Sequence, residues 1–302
     1  MELRYRAIVE YDGTGFEGFQ VQARGRTVQG ELERAIESIT QVRVRILAAG
    51  RTDAGVHAAG QVIAFDVSPD PHGDTPDRRG CREAGGGWRH TVHDLHRALN
   101  AVLPADIAIR HLATTSAGFH PRFDARWRRY RYTILNCPVR SPLWARYAHH
   151  VPDGGAGLDI EAMRQASHAL IGSHDFAAFG RPMVDPRGRP QRGTKHGEPS
   201  TVRSVRQAEW YEFPVSDFEF GVSSSESHQK LFIFEITANA FLYRMVRNIV
   251  GTLVRVGRGE LSPDDVAAIL QAGAGGRAAV GPPAPACGLC LMSVEYEGQG
   301  NE

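Results

Sequence analysis

Lysine is almost absent from this chain of 302 residues, and neither sign of charge is in excess. Only Lys195 and Lys230 occur, so 35 − 2 = 33 of the 35 basic residues are arginine. The 34 acidic residues balance them and leave a formal net charge of +1. A near-neutral total neither requires nor excludes a nucleic-acid partner, because binding depends on where cations cluster. A GC-rich coding sequence explains so much arginine simply, but its planar fork also suits phosphate and carboxylate.

Long apolar runs and cysteine are scarce as well. No stretch approaches the ~20 apolar residues that cross a bilayer. Charges at Glu2, Arg4 and Arg6 leave no apolar core for a signal peptide. Four cysteines do not form a disulfide scaffold in a chain of this length. With 42% hydrophobic and 23% charged residues, the composition is globular. We therefore expect a soluble cytoplasmic protein with two domains or one large one.

The predicted elements follow the same order in both halves of the chain. Alternating apolar residues predict eight strands, at 3–11, 42–47, 61–67, 107–112, 127–135, 202–213, 231–237 and 289–296. Helical spacing predicts two helices in each half, starting at Thr27 and Thr91 and covering 160–170 and 241–256, and a short extra helix at Ser262. Each half therefore has the order β-α-β-β-α-β. We predict an α+β fold of two ferredoxin-like halves, 1–118 and 119–302, with mainly antiparallel sheets that form a central cleft.

A glycine-flanked loop between two predicted strands carries an arginine and an aspartate. Residues 50–57 read GRTDAGVH, so the backbone can turn sharply and present Asp53. Arg51 lies two residues earlier, on the same side of an extended chain. A carboxylate beside a guanidinium stays ionised below its ~3.9 reference pKa and suits a held nucleophile. A structural Arg–Asp pair that braces a hairpin explains the same spacing.

Four arginines and three aromatic residues share the segment 126–132, which reads RWRRYRY. In a strand, Arg126, Arg128, Tyr130 and Tyr132 share one face. Arginines hold phosphates, and an aromatic ring stacks on an exposed base for ~1–3 kcal/mol, so the pattern indicates a nucleic-acid surface. An edge strand protected by charge, with Trp127 in the core, is the alternative.

The helix predicted at 241–256 has a polar stripe opposite its apolar face. The stripe consists of Arg244, Arg247, Asn248, Gly251 and Arg255. A solvated surface is the simple explanation of such a stripe. Arg247 and Asn248 lie next to the apolar edge, however, which suits partial burial beside a cleft.

Two further motifs resemble parts of phosphoryl-transfer and metal or redox sites, but each is incomplete. Residues 12–14, DGT, resemble the end of an aspartyl-phosphate motif, but Glu10 stands where that motif has a second aspartate. Cys287 and Cys290 have the spacing of a zinc half-site or a redox pair, yet no second pair completes four ligands. We therefore predict no metal site. The chain has no P-loop, no GxGxxG after a strand and no GxSxG.

Taken together, these motifs resemble the tRNA pseudouridine synthase A family over nearly the whole chain. The matching segments occur in family order and read YDGTGFEGFQVQ, GRTDAGVHAAGQV, FHPRFDARWRRYRYTI, LIGSHDFAAF, NAFLYRMVRNIVG and PACGLCL. The resemblance implies isomerisation of uridine to pseudouridine at positions 38, 39 and 40 of the tRNA anticodon stem-loop. It also implies that no cofactor or metal is used, and that the protein is a homodimer.

The resemblance assigns roles to single residues. Asp53 corresponds to the catalytic aspartate, which attacks the target nucleoside or assists cleavage of its glycosidic bond. Arg51 corresponds to the arginine of the same loop, and Arg247 to the arginine that pairs with the aspartate. Tyr130 corresponds to the tyrosine that contacts the uracil, and Leu289 to an apolar residue near it.

The sequence departs from the family pattern at a few places. Phe19 stands where tryptophan is usual, and Cys290 where a bulkier residue is common. Three stretches, 69–89, 181–200 and 214–229, are longer than usual and rich in Gly, Pro, Ser and Arg, so we predict exposed loops there. Arginines in the second stretch either add phosphate contacts or are solvated.

Two other functions compete with this interpretation. An RNA-binding protein of the same fold that has lost catalysis would lack the aspartate or the tyrosine, whereas Asp53 and Tyr130 are both present. A phosphoryl-transfer enzyme that uses Asp12 would need magnesium and an aspartate in place of Glu10.

Overall fold

The computed structural model describes residues 3–67, 91–153, 157–182, 200–214 and 230–297. They form the predicted α+β fold, with mostly antiparallel strand pairing. The chain divides into two compact units, Met1–Ala125 and Arg126–Glu302, here called the N-terminal and C-terminal units. The long loops predicted at 69–89, 181–200 and 214–229 lie wholly or largely outside the described residues. Within the described part of the chain, no helix combines the length and hydrophobicity that a bilayer crossing requires.

The N-terminal unit is a small antiparallel sheet with two helices. Its elements are β1 (Leu3–Tyr11), a 3-10 helix (Gly13–Gly15), α1 (Val28–Thr40), β2 (Leu47–Ala48), β3 (His57–Val67), α2 (Val92–Val102) and β4 (Ile107–Thr115). β1 lies between β3 and β4 and pairs antiparallel with both, while β2 pairs with β3. Every second side chain of β1 is buried, because alternate residues of a strand point to the same face.

The helix caps of this unit follow the sequence closely. The Thr27 side chain accepts a hydrogen bond from Gly30 N at the start of α1. Thr91 and Asp94 form the predicted capping box at the start of α2. These local bonds satisfy amide groups that a helix leaves unpaired in its first turn, so both helices begin where the sequence predicts.

The strand predicted at 42–47 is wrong, because only Leu47 and Ala48 pair with a neighbour. Side chains of α1 satisfy the backbone of this segment instead. The Glu33 carboxylate accepts a hydrogen bond from Ile46 N (3.0 Å), and the Thr40 hydroxyl accepts one from Val42 N (3.1 Å). Since these amides already have partners, the segment needs no adjacent strand.

The C-terminal unit contains a larger sheet. Its elements are β5 (Ala125–Asn136), β6 (His149–Val151), α3 (Ile160–His168), β7 (Gly172–Asp175), β8 (Val202–Pro214), β9 (Lys230–Ala238), α4 (Met245–Gly257), α5 (Pro263–Gln271), 3-10 helices (Gly273–Ala278 and Ala286–Gly288) and β10 (Leu289–Tyr296). The strand order is β10-β5-β9-β8-β7, and β6 pairs parallel with β5. Because β5 has neighbours on both sides, the edge-strand alternative for 126–132 is wrong.

The helix predicted at 241–256 begins four residues later, at Met245. Arg244 has a left-handed backbone with a φ of 59°, which interrupts a helix. Just before it, Tyr243 N donates a hydrogen bond to Arg181 O (3.0 Å) in an isolated β-bridge. The residues before Met245 therefore connect β9 to α4 without being helical, although their apolar spacing continues that of the helix.

Candidate active site

Asp53 lies in the loop between β2 and β3, at a tight turn. Val56 N donates a hydrogen bond to Asp53 O (3.1 Å), and Gly55 turns the chain with a φ of 77°. This left-handed conformation favours glycine, because a Cβ would be strained there. Asp53 itself is half-buried.

The glycine-rich segment 13–19 braces this loop. Phe19 N donates a hydrogen bond to Thr52 O (3.0 Å), and Gly55 N donates one to Phe16 O (3.3 Å). Gly18 packs so closely that a Cβ there would lie 2.9 Å from Thr52 O. The YDGTGFEGF motif therefore supports the Asp53 loop through its backbone.

Asp12 has a structural role that accounts for the DGT motif. Its carboxylate accepts hydrogen bonds from Thr14 N (3.0 Å) and the Thr14 hydroxyl (2.6 Å), which caps the 3-10 helix. It also lies 3.2 Å from Nδ1 of His57. Beside it, Gly13 would place a Cβ 2.1 Å from Val56 O, so the motif fits tightly against the start of β3.

Positive charge is concentrated beside the Asp53 loop. Arg51 is half-buried, and its pKa is lowered first by burial and then by the guanidinium groups of Arg122 and Arg45. Burial also lowers the pKa of Arg122. Cations that are partly desolvated and close together favour an incoming anion such as a phosphate. The sequence motifs assign no role to Arg122, which lies in the FHPRF segment.

Tyr130 lies on the interior strand β5, opposite Ile236 of β9. Its ring is half-buried and meets the Phe241 ring edge-on, with centroids 5.0 Å apart and an interplanar angle of 85°. Such edge-to-face packing fixes the orientation of an aromatic ring. Tyr132 is fully buried, and its hydroxyl donates to Pro285 O (2.8 Å), so burial raises its pKa.

The arginines that surround Tyr130 in the sequence bind protein groups. Arg131 and Arg129 lie 2.7 and 3.7 Å from carboxylate oxygens of Glu235 on β9. Arg128 is buried and donates a hydrogen bond to a main-chain carbonyl of the β9–α4 connection (2.6 Å). Trp127 is covered by a guanidinium group 4.8 Å from its ring centroid. Much of this arginine cluster therefore links strands of the sheet.

Arg247 is half-buried on α4 and is fixed to the segment 282–288. Its Nε donates a hydrogen bond to Ala284 O (2.7 Å), and Ala284 N donates one to Arg247 O (2.9 Å). On the same stripe, Asn248 is buried, and a Cβ at Gly251 would lie 1.9 Å from a backbone oxygen of this segment. The solvated surface expected for the whole stripe is therefore wrong, and the partial burial expected at Arg247 is confirmed.

Leu289 is buried at the first position of β10. Gly288 before it lies against the Tyr132 ring, where a Cβ would come within 2.7 Å of Cζ. Burial raises the pKa of the Cys287 thiol, although the Arg247 guanidinium acts to lower it. Among the residues that the structure describes, no group of three or more His, Cys, Asp or Glu side chains is arranged to hold a metal ion.

The five predicted site residues fall into two groups. Arg51 and Asp53 share one loop of the N-terminal unit. Tyr130, Arg247 and Leu289 belong to the C-terminal unit, where the segment 282–288 contacts Arg247 and leads into Leu289. Sequence reasoning missed the residues that hold these groups in place, because their partners are distant in the chain.

Comparisons with known proteins agree on one family. The family model described as tRNA pseudouridine synthase matches residues 7–124 and 166–297. A tRNA pseudouridine synthase A from Roseiflexus castenholzii is 42% identical over 293 residues, which cover 97% of this chain and 90% of the relative. Proteins of the same name from Brevibacillus brevis and Listeria innocua are 38% and 36% identical, and each match covers 97% of this chain and 99% of the relative.

Proposed function

The chain belongs to the tRNA pseudouridine synthase family, whose members isomerise uridine in tRNA. We propose that it acts at positions 38, 39 and 40 of the anticodon stem-loop, with Asp53 as its nucleophile. The observation that carries this assignment is the Asp53 loop itself. Its half-buried aspartate follows a residue whose backbone and side chain are both hydrogen-bonded, and precedes a tight glycine turn. A nucleophile fixed in this way is already positioned to attack.

The proposed reaction rearranges one nucleoside without an outside donor. A carboxylate oxygen of Asp53 forms a bond to C1′ of the ribose while the N1–C1′ electron pair leaves with the uracil. The base rotates, C5 attacks C1′, and the bond to Asp53 breaks. A proton is then lost from C5 and one is gained at N1, so substrate and product contain the same atoms. One carboxylate suffices for both bond changes.

The target base must leave the helical stem before it reacts. Flipping costs on the order of a few kcal/mol, and stacking on an aromatic ring returns ~1–3 kcal/mol. We assign the stacking to Tyr130, whose ring is fixed by Phe241. Arg51 and Arg247 supply the positive charge that the reacting carboxylate needs, and Leu289 supplies an apolar contact to the uracil.

The decisive experiment maps pseudouridine in an unmodified tRNA transcript incubated with the protein and no added metal. Carbodiimide-dependent primer extension should stop at uridines among positions 38–40. Asp53→Asn should abolish the stops while the Kd for tRNA stays within about twofold of the wild-type value. The proposed role of the carboxylate is in the reaction and not in the affinity for tRNA. Glu37→Gln, an exposed carboxylate on α1 that pairs with Arg43, is the matched control and should retain full activity.

Three outcomes would contradict parts of this proposal. Full product formation by Asp53→Asn would overturn the role of the aspartate. Stops at other positions would overturn the choice of target. Tight, salt-sensitive tRNA binding without any product would indicate an RNA-binding protein that lacks catalysis.

We also propose that the enzyme works as a homodimer in the cytoplasm. Sedimentation equilibrium of the full chain should give twice the mass of 33.1 kDa expected from its sequence. A monomer that retains full activity would overturn the dimer. Fractionation of cells should recover the activity in the cytosol, and its recovery with the membranes would overturn the location.

A further inference from the structure

The residue before Asp53 is bound from the core of the N-terminal unit. The hydroxyl groups of Thr52 and Tyr11 are 2.7 Å apart and hydrogen-bonded, and the two residues are only 6% and 3% exposed. Removing one partner of such a pair leaves the other buried without that bond, which is costly. The bond therefore has a defined geometry, and it fixes Thr52 relative to the end of β1.

An irregularity in the sheet sets the position of Tyr11. Along β1, Val9 lies opposite Gln61 of β3, but Tyr11 lies opposite Ala58, so two steps on β1 match three on β3. The extra residue of this bulge lies on β3, and such bulges are common next to active sites. With the bulge, Tyr11 at the end of β1 lies opposite Ala58, the second residue of β3 after the Asp53 loop.

A second bond holds the loop near its start, two residues before Thr52. Nε2 of Gln61 donates a hydrogen bond to Gly50 O (2.9 Å), and the residue is fully buried at 0% exposure. Its Oε1 has no hydrogen-bond partner within the described part of the chain. A buried amide oxygen without a partner costs stability. Stability alone therefore does not explain glutamine at this position.

We propose that Tyr11 and Gln61 are positioning residues for Asp53. Tyr11 binds Thr52 and Gln61 binds Gly50 through buried side chains, while the segment 13–19 hydrogen-bonds to the backbone of the loop. The carboxylate then stays in line with C1′ of the flipped nucleotide. This inference rests on the proposed catalytic role of Asp53. It predicts a large effect on rate, because a displacement of ~1 Å costs about 100-fold.

The test compares two tyrosines of the same strand. Tyr5 is also buried and on the same face of β1, but it stacks on Phe65 (5.4 Å) instead of contacting the loop. Tritium release from tRNA that carries [5-³H]uridine reports the loss of the C5 hydrogen. Tyr11→Phe should lower kcat about tenfold or more, with KM and the Kd for tRNA unchanged within twofold. Tyr5→Phe should leave all three unchanged.

Variants of the partner residues separate positioning from folding. Thr52→Val removes the hydroxyl and should reproduce the loss in kcat, whereas Thr52→Ser retains it and should keep most of the rate. The double variant Tyr11→Phe with Thr52→Val should be no slower than either alone, because both remove the same bond. Gln61→Met lacks the donor to Gly50 O and should also lower kcat without changing KM.

Several results would overturn the inference. A kcat for Tyr11→Phe equal to that of Tyr5→Phe would do so, and so would additive losses in the double variant. A parallel rise in KM and Kd would indicate a general structural role instead. If Tyr11→Phe does not fold, the variants Thr52→Val and Thr52→Ser decide the question. Equal values of kcat for these two variants would exclude a positioning role. Full activity of Asp53→Asn would overturn the proposed function. If Asp53→Asn is inactive but Tyr11→Phe has the wild-type kcat, only this inference is overturned.

Discussion

Arginine is prominent in two regions of this molecule, and its electrostatic surroundings differ between them. On β5, Arg129 and Arg131 share the carboxylate of Glu235, whose side chain is 8% exposed. Beside the Asp53 loop, each cause that acts on the pKa of Arg51 lowers it: burial first, then Arg122 and Arg45. The strand region is an ion-pair network between strands. In the loop region, Arg122 and Arg45 both act to lower the pKa of Arg51, although Arg45 also lies 3.9 Å from a carboxylate oxygen of Glu33.

The difference shows that arginine density along the sequence does not measure available positive charge. The segment RWRRYRY is the densest cluster and predicts a nucleic-acid surface, yet Glu235 lies on another strand and neutralises part of it. The cations near Arg51 are 122 − 51 = 71 and 51 − 45 = 6 residues away in sequence. Only the folded structure shows which charged groups surround each arginine, and substitutions in each region test the difference.

The largest contrast should come from removing one arginine of each region. Arg51→Met should lower kcat/KM about 100-fold, because it removes a cation next to the proposed nucleophile. Arg131→Met should lower it less than about threefold, since its guanidinium is paired with Glu235. Tritium release from [5-³H]uridine-labelled tRNA measures both. Equal losses would mean that the two arginine regions do not differ in function.

Glu235→Gln should destabilise the C-terminal unit by about 2 kcal/mol. It leaves Arg129 and Arg131 beside a group without charge, and losing one partner of a buried pair costs about 3–5 kcal/mol before solvent screening of the half-exposed arginines is allowed for. Urea unfolding measures the change. Glu212→Gln is the control, because Glu212 pairs with Lys230 at a more exposed position (2.7 Å) and should cost less than about 1 kcal/mol. Equal costs would show that burial of Glu235 contributes nothing.

Much of the fold was predictable because its signals are local. Alternation predicts β1 and β10 to their observed ends, and the Ser262 and Asp265 capping box is found at the start of α5. β6 and β7 were missed, since strands of three and four residues are too short to show a period. The start of α4 depends on the backbone bridge between Tyr243 and Arg181, which an apolar pattern does not contain.

The candidate site divides in the same way. The Asp53 loop was predictable from two glycines close to it in sequence, and the partial burial of Arg247 from its place next to an apolar stripe. The bond between Tyr11 and Thr52 spans 41 residues, so no local pattern indicates it. Arg122 became noticeable only because folding places it near Arg51.

His149, at the start of β6, is a half-buried base close enough to the cation Arg258 for that charge to affect its pKa. Burial lowers its pKa to about 4, and Arg258 and His150 add to the effect. Its Nδ1 has no hydrogen-bond partner among the described residues. Between pH 6.5 and 4 the unfolded chain binds a proton that the folded chain does not, so stability should fall by roughly 2 kcal/mol as the pH is lowered through this range.

Urea unfolding at several pH values measures this effect of His149. His149→Gln should remove that part of the pH dependence, whereas His111→Gln, at an exposed position of β4, should retain the wild-type profile. An unchanged profile in His149→Gln would assign the acid loss to other groups.

Arg126→Gln should have the smallest effect, because the ion pair between Arg126 and Glu297 is exposed on both sides. Surface pairs of this kind contribute about 0–1 kcal/mol, so the free energy of unfolding should change by less than about 0.5 kcal/mol. The salt dependence of tRNA binding is the sharper measurement. If Arg126 only supports the sheet, the slope of log Kd against log salt stays unchanged. If the slope for Arg126→Gln is smaller by about one, Arg126 exchanges Glu297 for a phosphate when tRNA binds. The arginine network of β5 would then supply a cation to RNA.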